Sequence, residues 1–217
     1  MSSSAIAALP IKQAIPDYPI LELLSTRWSP YAFADRPVAE ADLNSLFEAA
    51  RWAASSYNEQ PWNYIVADRT DPAEHGRLLS CLAAANQTWA EAAPVLVLGV
   101  VSLQFSQNRK PNRAAVHDLG QASANLVVEA TARGLSVHQM IGLLPDQARE
   151  VYQIPAHAEA WTALAIGYKA EAHGIGSGLP ERDLTPRQRK PTREFVFTGA
   201  WGRSAPLTTR RFASATV

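Results

Sequence analysis

The sequence predicts an α+β fold with one central sheet flanked by helices. Segments with helical periodicity alternate with strand-like segments along the whole chain, and no internal repeat divides them. The run Val95–Val101 is continuously apolar, which is typical of a strand buried on both faces at the centre of a sheet. The chain has 217 residues, enough to bury roughly 70% of its unfolded surface without disulfides or metal.

The N-terminal half contains three predicted helices and the first two predicted strands. Asp17–Pro19 can cap a short helix, and apolar residues recur at helical spacing over Glu40–Ala54. A polar cluster at residues 55–61 ends that second helix and precedes a strand at Trp62–Ala67. Asp71–Pro72 starts the third helix, because proline is tolerated in a first turn. The first helix is expected to bury Ile20, Leu21, Leu23 and Leu24.

The C-terminal half is dominated by a long helix predicted over Ala114–Arg133, with Gly134 as its C-terminal cap. Its expected inner face consists of Val116, Leu119, Ser123, Leu126, Val127 and Ala130. Beyond it, the pattern predicts a short helix over Asp146–Tyr152 and strands over Leu135–His138, Trp161–Gly167 and Glu194–Phe197. Two stretches, Gln104–Arg113 and the glycine-rich His173–Leu184, are predicted surface loops.

Composition and charge exclude several classes of protein. Basic and acidic residues both number 20, so neither nucleic acid nor an anionic membrane surface is an expected partner. The single cysteine, Cys81, excludes an intrachain disulfide and fits a reducing compartment. The longest apolar run is far shorter than the ~20 residues that cross a bilayer, and no secretory signal is visible. We therefore expect a soluble cytoplasmic protein.

Common catalytic motifs are missing from the sequence. The histidines form no pair at metal-ligand spacing, so no metal site is expected, and no Gly-x-Ser-x-Gly elbow is present. The glycines of residues 174–178 do not lie between a strand and a helix, so they lack the context that binds dinucleotide phosphates. The histidines are His75, His117, His138, His157 and His173.

The remaining candidates are arginines, hydroxyls and amides in loops. Taken singly, each of these residues also has an ordinary structural explanation, as a surface arginine, a helix-capping residue or part of a polar turn. Together, such groups can hold a polar planar ring, and several arginines can satisfy a phosphate dianion. These candidates are Arg27, Ser29, Ser55, Ser56, Asn58, Gln60, Arg187 and Arg189.

Five segments, in order, resemble the FMN-dependent nitroreductases. Residues 27–33, Arg-Trp-Ser-Pro-Tyr-Ala-Phe, resemble the family's Arg-x-Ser-x-Arg-x-Phe opening, and residues 55–62 resemble its Pro-Ser-x-x-Asn-x-Gln-Pro-Trp segment. Residues 117–135 are similar to its central helix, and Ala165–Tyr168 to its Ile-Gly-Tyr-Pro strand. Residues 187–191, Arg-Gln-Arg-Lys-Pro, resemble its basic phosphate motif near the C-terminus.

The resemblance implies an intertwined homodimer with two FMN sites at its interface and a mostly antiparallel sheet. Arg27, Ser29, Arg187 and Arg189 would hold the ribityl phosphate, with Trp28 and Tyr31 in the same cofactor site. Ser55, Ser56 and Asn58 would reach the flavin from the other protomer, with Gln60 near them. Ile141–Gly142 matches the loop whose backbone N–H meets flavin N5, and Asn86 resembles a residue near the pyrimidine edge.

The implied reaction is oxidation of NAD(P)H and reduction of a nitroaromatic, quinone or similar small organic acceptor. Hydride would pass through flavin N5 in a ping-pong scheme, so no catalytic acid or base is expected among the side chains. Another flavin reaction on the same fold, such as dehydrogenation or reductive dehalogenation, stays open. A non-catalytic flavin-binding or storage protein is a further alternative.

Three departures from the family pattern are visible. Tyr31 replaces a basic residue, which removes a cation expected at the N1/O2 edge of the flavin. Ala54 replaces a proline, and the stretch from Val101 to Arg113 is short, which trims the lid that shapes substrate choice. The predicted organisation is an N-terminal arm over residues 1–16, an FMN-binding domain over residues 17–198 and a C-terminal extension over residues 199–217.

Overall fold

The computed structural model describes residues 11–170 and 182–208. The described chain forms two compact units. The larger spans Arg27–Leu184, and the smaller combines the N-terminal residues through Thr26 with the C-terminal residues from Thr185 onward. Most of the predicted loop His173–Leu184, all but the last six residues of the predicted N-terminal arm and the end of the C-terminal extension lie outside the described residues. The predicted domain boundaries stay a prediction.

A four-stranded antiparallel sheet forms the centre of the larger unit. Its order is β1-β2-β4-β3, so β2 and β4 are the inner strands and β1 and β3 are the edges. Residues 95–101 of β2 are buried throughout, which confirms their predicted place at the sheet centre. The strands are β1 (Trp62–Asp68), β2 (Val95–Ser102), β3 (Ser136–Met140) and β4 (Ala158–Gly167).

Helices cover both faces of this sheet. Alternate residues of β2 point to opposite faces, because side chains alternate along a strand. Leu96 and Leu98 pack with residues of α3, α4 and α6, whereas Val95 and Val97 pack with residues of α2 and α5. The predicted α+β fold with a flanked antiparallel sheet is therefore confirmed. These helices are α2 (Glu40–Arg51), α3 (Pro72–Ser80), α4 (Ala84–Ala90), α5 (Ala115–Ala132) and α6 (Pro145–Tyr152).

Helix α5 differs from its predicted inner face at one important position. Asp118 is buried on that face, whereas the pattern placed only apolar residues and Ser123 there. Its carboxylate accepts a hydrogen bond from the Ser56 N–H at 3.0 Å, which compensates for its burial. The helix ends as predicted, since Gly134 has a φ of 73° in the region that glycine adopts readily.

The smaller unit corrects two predictions. The predicted strand Glu194–Phe197 is wrong: residues 192–194 form a 3₁₀ turn, and Phe197 makes an isolated bridge with Ser204. The first helix, α1, spans only Glu22–Thr26 and begins after Ile20 and Leu21. Those two side chains and Leu24 are exposed, so their predicted burial is also wrong, because a five-residue helix offers too little surface to form a core.

Two negative findings hold for residues 11–170 and 182–208. No helix there is long and apolar enough to span a membrane. No cluster of three or more His, Cys, Asp or Glu side chains in that part of the chain has the geometry of a metal site.

Candidate functional site

The loop that follows β3 is held in one conformation by hydrogen bonds to α4. The Gly142 carbonyl accepts from the Asn86 side-chain amide at 2.8 Å and from the Ala83 N–H at 3.0 Å. A Cβ at position 142 would lie 2.5 Å from Asn86 Nδ2, so the close approach requires glycine. Ile141 beside it is 82% exposed. The structure thus brings together Asn86 and Ile141–Gly142, which the sequence analysis assigned separately to the cofactor site.

An aromatic cluster adjoins this loop and includes Tyr31. The Tyr31 ring meets the Trp89 ring edge to face at 5.2 Å between centroids and the His138 ring at 4.6 Å. Trp89 Nε1 donates to Asn86 Oδ1 at 3.3 Å, so the cluster continues into the Gly142 loop. Tyr31, Asn86 and Gly142 therefore belong to one connected network.

His138 is a titratable member of this network. Its Nδ1 lies 2.9 Å from the Pro30 carbonyl oxygen, and we assign the ring proton to Nδ1 because a carbonyl can only accept. Burial lowers the pKa of His138 below its ordinary value of 6.5, and the Arg27 charge lowers it further, against the Pro30 hydrogen bond and Asp183. The His138 imidazole is therefore neutral at pH 7, and its Nε2 is a hydrogen-bond acceptor.

Two residues far along the chain complete the surroundings of Tyr31. The buried Asp183 carboxylate accepts from the Tyr31 N–H at 3.0 Å and from the Ala32 N–H at 3.2 Å. Arg182 Nη1 donates to the Tyr31 hydroxyl at 3.1 Å, with the guanidinium carbon 5.6 Å from the ring centroid. The Tyr31 hydroxyl is thus bound to a cation.

Sequence reasoning missed Trp89, His138, Arg182 and Asp183. Trp89 lies in α4 and His138 in β3, and in a helix or strand the sequence pattern indicates only that such a residue belongs to the core. The last two close a glycine-rich stretch that was interpreted as a flexible connection. An acidic residue beside an arginine there was the available signal.

The segment Ser55–Gln60 forms a compact loop at the start of β1. Ser55 Oγ accepts from the Gln60 N–H at 3.0 Å, and the Gln60 side-chain amide donates to the Asn58 carbonyl at 3.1 Å. Tyr57, Asn58 and Gln60 have φ values of 54°, 55° and 53°. Such left-handed conformations cost of order 1–3 kcal/mol per residue and cluster at functional sites.

The sheet order separates this loop from the Gly142 loop. Ser55–Gln60 leads into the edge strand β1, and Ile141–Gly142 leaves the opposite edge strand β3. Strands lie ≈ 4.8 Å apart, so three strand spacings correspond to about 14 Å. Within one chain these two groups of predicted site residues are therefore not brought together.

Arg27, Trp28 and Ser29 are half-buried at the beginning of the larger unit. Arg27 Nη1 donates to Ser29 Oγ at 3.3 Å, a long hydrogen bond between two polar side chains. A guanidinium and a hydroxyl that are neighbours in this way suit a phosphate group, which accepts from both.

The two predicted arginines of the smaller unit have different surroundings. Arg187 is half-buried, and its Nη1 donates to the Ser25 carbonyl at 2.8 Å and the Lys12 carbonyl at 3.3 Å. It therefore joins the N-terminal and C-terminal segments of this unit. Arg189 is exposed and donates to the neighbouring Gln188 carbonyl at 2.8 Å. Both line a cavity of about 440 Å³ together with Lys190 and apolar residues.

Several known proteins are similar to this chain. A solved structure described as an oxidoreductase containing FMN is 30% identical, covers 88% of this chain and 96% of its own, and superposes with a TM-score of 0.80. A protein of Methanothermobacter thermautotrophicus, named "Putative NADH dehydrogenase/NAD(P)H nitroreductase", is 28% identical over 71% of this chain and 80% of its own length. An NADH dehydrogenase of Thermus thermophilus is 28% identical over 66% of this chain and 83% of its own length.

A family comparison agrees with these relatives and with the fold. The family description "Nitroreductase family" matches residues 24–168, which include the whole sheet and helices α2 to α6. The match exceeds half of the chain, and the resemblance that the sequence motifs indicated is thereby confirmed. The chain belongs to the nitroreductase family and is an oxidoreductase of that family.

Proposed function

We propose that this protein binds FMN and uses NAD(P)H to reduce a small organic acceptor such as a nitroaromatic or a quinone. The observation that carries the proposal is the Gly142 peptide. Its carbonyl is bound on the inner side by Asn86 and Ala83. Among the described residues, no hydrogen bond uses its N–H, which is therefore available to an acceptor atom of a flat ring.

The hydrogen-bond donors of the described residues suit the ring edge and the phosphate of FMN. In this proposal Gly142 donates its N–H to the ring, the Asn86 amide supports that peptide, and Ile141 presents an apolar surface beside it. Arg27 and Ser29 would bind phosphate oxygens, and Arg189 stays a predicted phosphate ligand. When bound, FMN supplies two-electron chemistry between a reduced nicotinamide and the acceptor.

The side chains of this chain then have supporting roles. The backbone N–H of Tyr31 donates to Asp183, and the Tyr31 hydroxyl accepts a hydrogen bond from the Arg182 guanidinium. A cation and a donor at a ring edge stabilise negative charge that develops there. His138 is neutral and packs against the Tyr31 ring, so it helps to fix the position of that ring without adding charge to the site.

The sheet order supports a homodimer in which both loops contact one cofactor. Ser55, Ser56, Asn58 and Gln60 lie at the edge opposite Gly142, so they would reach the cofactor of a second protomer. The smaller unit exposes large apolar side chains, among them Ile15 at 85% and Phe195 at 59%, which a partner chain would cover. We therefore propose an intertwined homodimer with shared sites.

Purification and anaerobic titration test this function. We expect a yellow protein whose flavin absorbance bleaches with NADH or NADPH and returns when a quinone or nitroaromatic is added. Yellow protein that never bleaches contradicts the enzymatic reaction, and protein without affinity for FMN contradicts the whole proposal. Riboflavin, which lacks the phosphate, is the matched control ligand and should bind at least tenfold more weakly than FMN, since charge-assisted bonds contribute about 1.5–3 kcal/mol.

A further inference from the structure

A short basic hairpin, residues 104–113, projects between β2 and α5. Gln104 and Pro111 form a β-bridge at its base. The Phe105 N–H donates to the Lys110 carbonyl and the Arg109 N–H to the Phe105 carbonyl, each at 2.9 Å. The hairpin is therefore closed by its own backbone, and its tip is a defined structure.

The charged side chains of this hairpin are all basic. Arg109, Lys110 and Arg113 are exposed, and the sequence contains no acidic residue between Glu91 and Asp118. None of the three cations forms an ion pair with any residue in the described ranges. The Glu59 carboxylate, which accepts from the Ser106 N–H of the hairpin, offsets one of these charges, so a local excess of two positive charges remains in a chain with a formal net charge of zero.

Two contacts attach the basic hairpin to the loop Ser55–Gln60. The Phe105 ring meets the Tyr57 ring at 5.9 Å between centroids, with an interplanar angle of 82°. The Ser106 N–H donates to the Glu59 carboxylate at 2.7 Å. The cations are thereby held beside the loop that is proposed to approach the cofactor.

We propose that the basic hairpin binds the 2′-phosphate of NADPH and makes this protein prefer NADPH over NADH. This inference rests on the proposed function. The nicotinamide must stack at the reactive ring, so the adenosine end of the dinucleotide lies well away from it, where a cationic surface loop can reach. NADPH differs from NADH only by a phosphate group on that end, and Arg and Lys are the side chains that bind phosphates.

The neighbouring helix favours the same ligand. Helix α5 begins at Ala115, directly after the hairpin, and is 18 residues long. The N-terminus of a helix carries positive partial charge and attracts anions. Asn112 accepts the Ala114 N–H on its side-chain oxygen at 3.0 Å, so the hairpin base is attached to this helix end.

The variants can remove charge without disturbing the hairpin. Arg109 has a φ of 60°, so Arg109→Asn is suitable because asparagine tolerates the left-handed region. Lys110→Gln and Arg113→Gln remove the charge and keep a polar, unbranched side chain. Lys169→Gln is the matched control, because Lys169 is also exposed and lies after β4, outside the hairpin.

The measurement is kcat/KM for NADPH and for NADH with one acceptor at low ionic strength. We expect the wild type to favour NADPH, and each single variant to lower the NADPH/NADH ratio by about twofold to fivefold, as for an exposed charge pair. The triple variant should lower the ratio by about tenfold or more, while kcat/KM for NADH and the Lys169→Gln control stay unchanged. A triple variant with an unchanged ratio overturns the proposal.

Binding of adenosine 2′,5′-bisphosphate to the holoprotein, measured by calorimetry, separates this proposal from the proposed function. It should bind the wild type more tightly than the triple variant, whereas adenosine 5′-monophosphate should not distinguish them. Equal affinities of the bisphosphate for both proteins overturn the hairpin assignment. Failure to oxidise either nucleotide contradicts the proposed function, and the bisphosphate titration still decides the role of the hairpin.

Discussion

Replacing Gly142 with Ala should displace the Asn86 amide and loosen the network that reaches Tyr31. The new Cβ would lie 2.5 Å from Asn86 Nδ2, so the amide must move away from the Gly142 carbonyl. That movement breaks two hydrogen bonds, Asn86 Nδ2 to the Gly142 carbonyl and Trp89 Nε1 to Asn86 Oδ1. At about 0.5–1.5 kcal/mol each, the expected loss is about 1–3 kcal/mol of unfolding free energy.

A double-mutant cycle tests this reasoning. Asn86→Ala alone removes the same two bonds and should cost about as much as Gly142→Ala. In the double variant, the new methyl group has no amide to displace, so the combined loss should be close to that of Asn86→Ala alone. Urea unfolding gives the free energies, and titration of apoprotein with FMN gives the effect on the cofactor site.

The coupling energy decides the outcome. We expect it to be at least about 1 kcal/mol, because both variants remove the same interactions. Leu79→Ala is a matched control, since Leu79 packs in the same core without contacting Asn86 through any described hydrogen bond, and its effect should add to that of Gly142→Ala. Additive effects of Gly142→Ala and Asn86→Ala would refute the proposed steric conflict.

Three further predictions follow from the electrostatics of the described residues. Arg189→Ala should weaken FMN binding about tenfold to a hundredfold without loss of stability, whereas Arg187→Ala should lower the unfolding free energy, because it removes bonds to two carbonyls. Equal effects of the two variants on FMN affinity would contradict this division. Replacing Arg182 with Gln, which leaves Tyr31 in place, should lower the midpoint potential of the bound flavin by up to about 20 mV. An exposed charge contributes up to about 1 kcal/mol, and for a two-electron couple about 30 mV corresponds to ~1.4 kcal/mol. An unchanged potential would place Arg182 away from the reacting ring. Because the pKa of His138 is lowered in the folded chain, the unfolded chain binds a proton on this residue at a higher pH than the folded chain does. The free energy of unfolding should therefore fall as the pH drops below about 6.5. Urea titrations at several pH values should show a flatter dependence for His138→Gln.

The elements that sequence patterns predicted best are those with a strong local signal. Residues 95–101 formed an unbroken apolar run, and α5 combined helical periodicity with a terminal glycine, so both were placed within one or two residues. Helix α4 gave no such signal. Its N-cap is Ala83, which makes no side-chain cap, and it buries only Trp89 and Ala90. Its existence depends on packing against the sheet, which a local pattern does not contain.

The candidate site was predictable where its residues are neighbours in sequence and unpredictable where they are not. The loop Ser55–Gln60 was recognised as one cluster, but its anchor Asp118 lies 62 residues from Ser56. The predicted strand at Glu194–Phe197 failed for a related reason. Apolar residues next to a glutamate have strand propensity, yet a strand forms only where another strand pairs with it along several residues.

The substitution at position 31 shows how a departure from a family pattern can be compensated elsewhere in the chain. Judged by its own position, Tyr31 removes a positive charge. In the folded chain its hydroxyl accepts from the guanidinium of Arg182, a residue 151 positions away, and the adjacent Asp183 binds the Tyr31 N–H. A guanidinium keeps its charge at any physiological pH, so the tip of the Tyr31 side chain still carries a cation. The expected loss of positive charge therefore does not follow from the tyrosine alone, because the fold supplies that charge from the end of the larger unit.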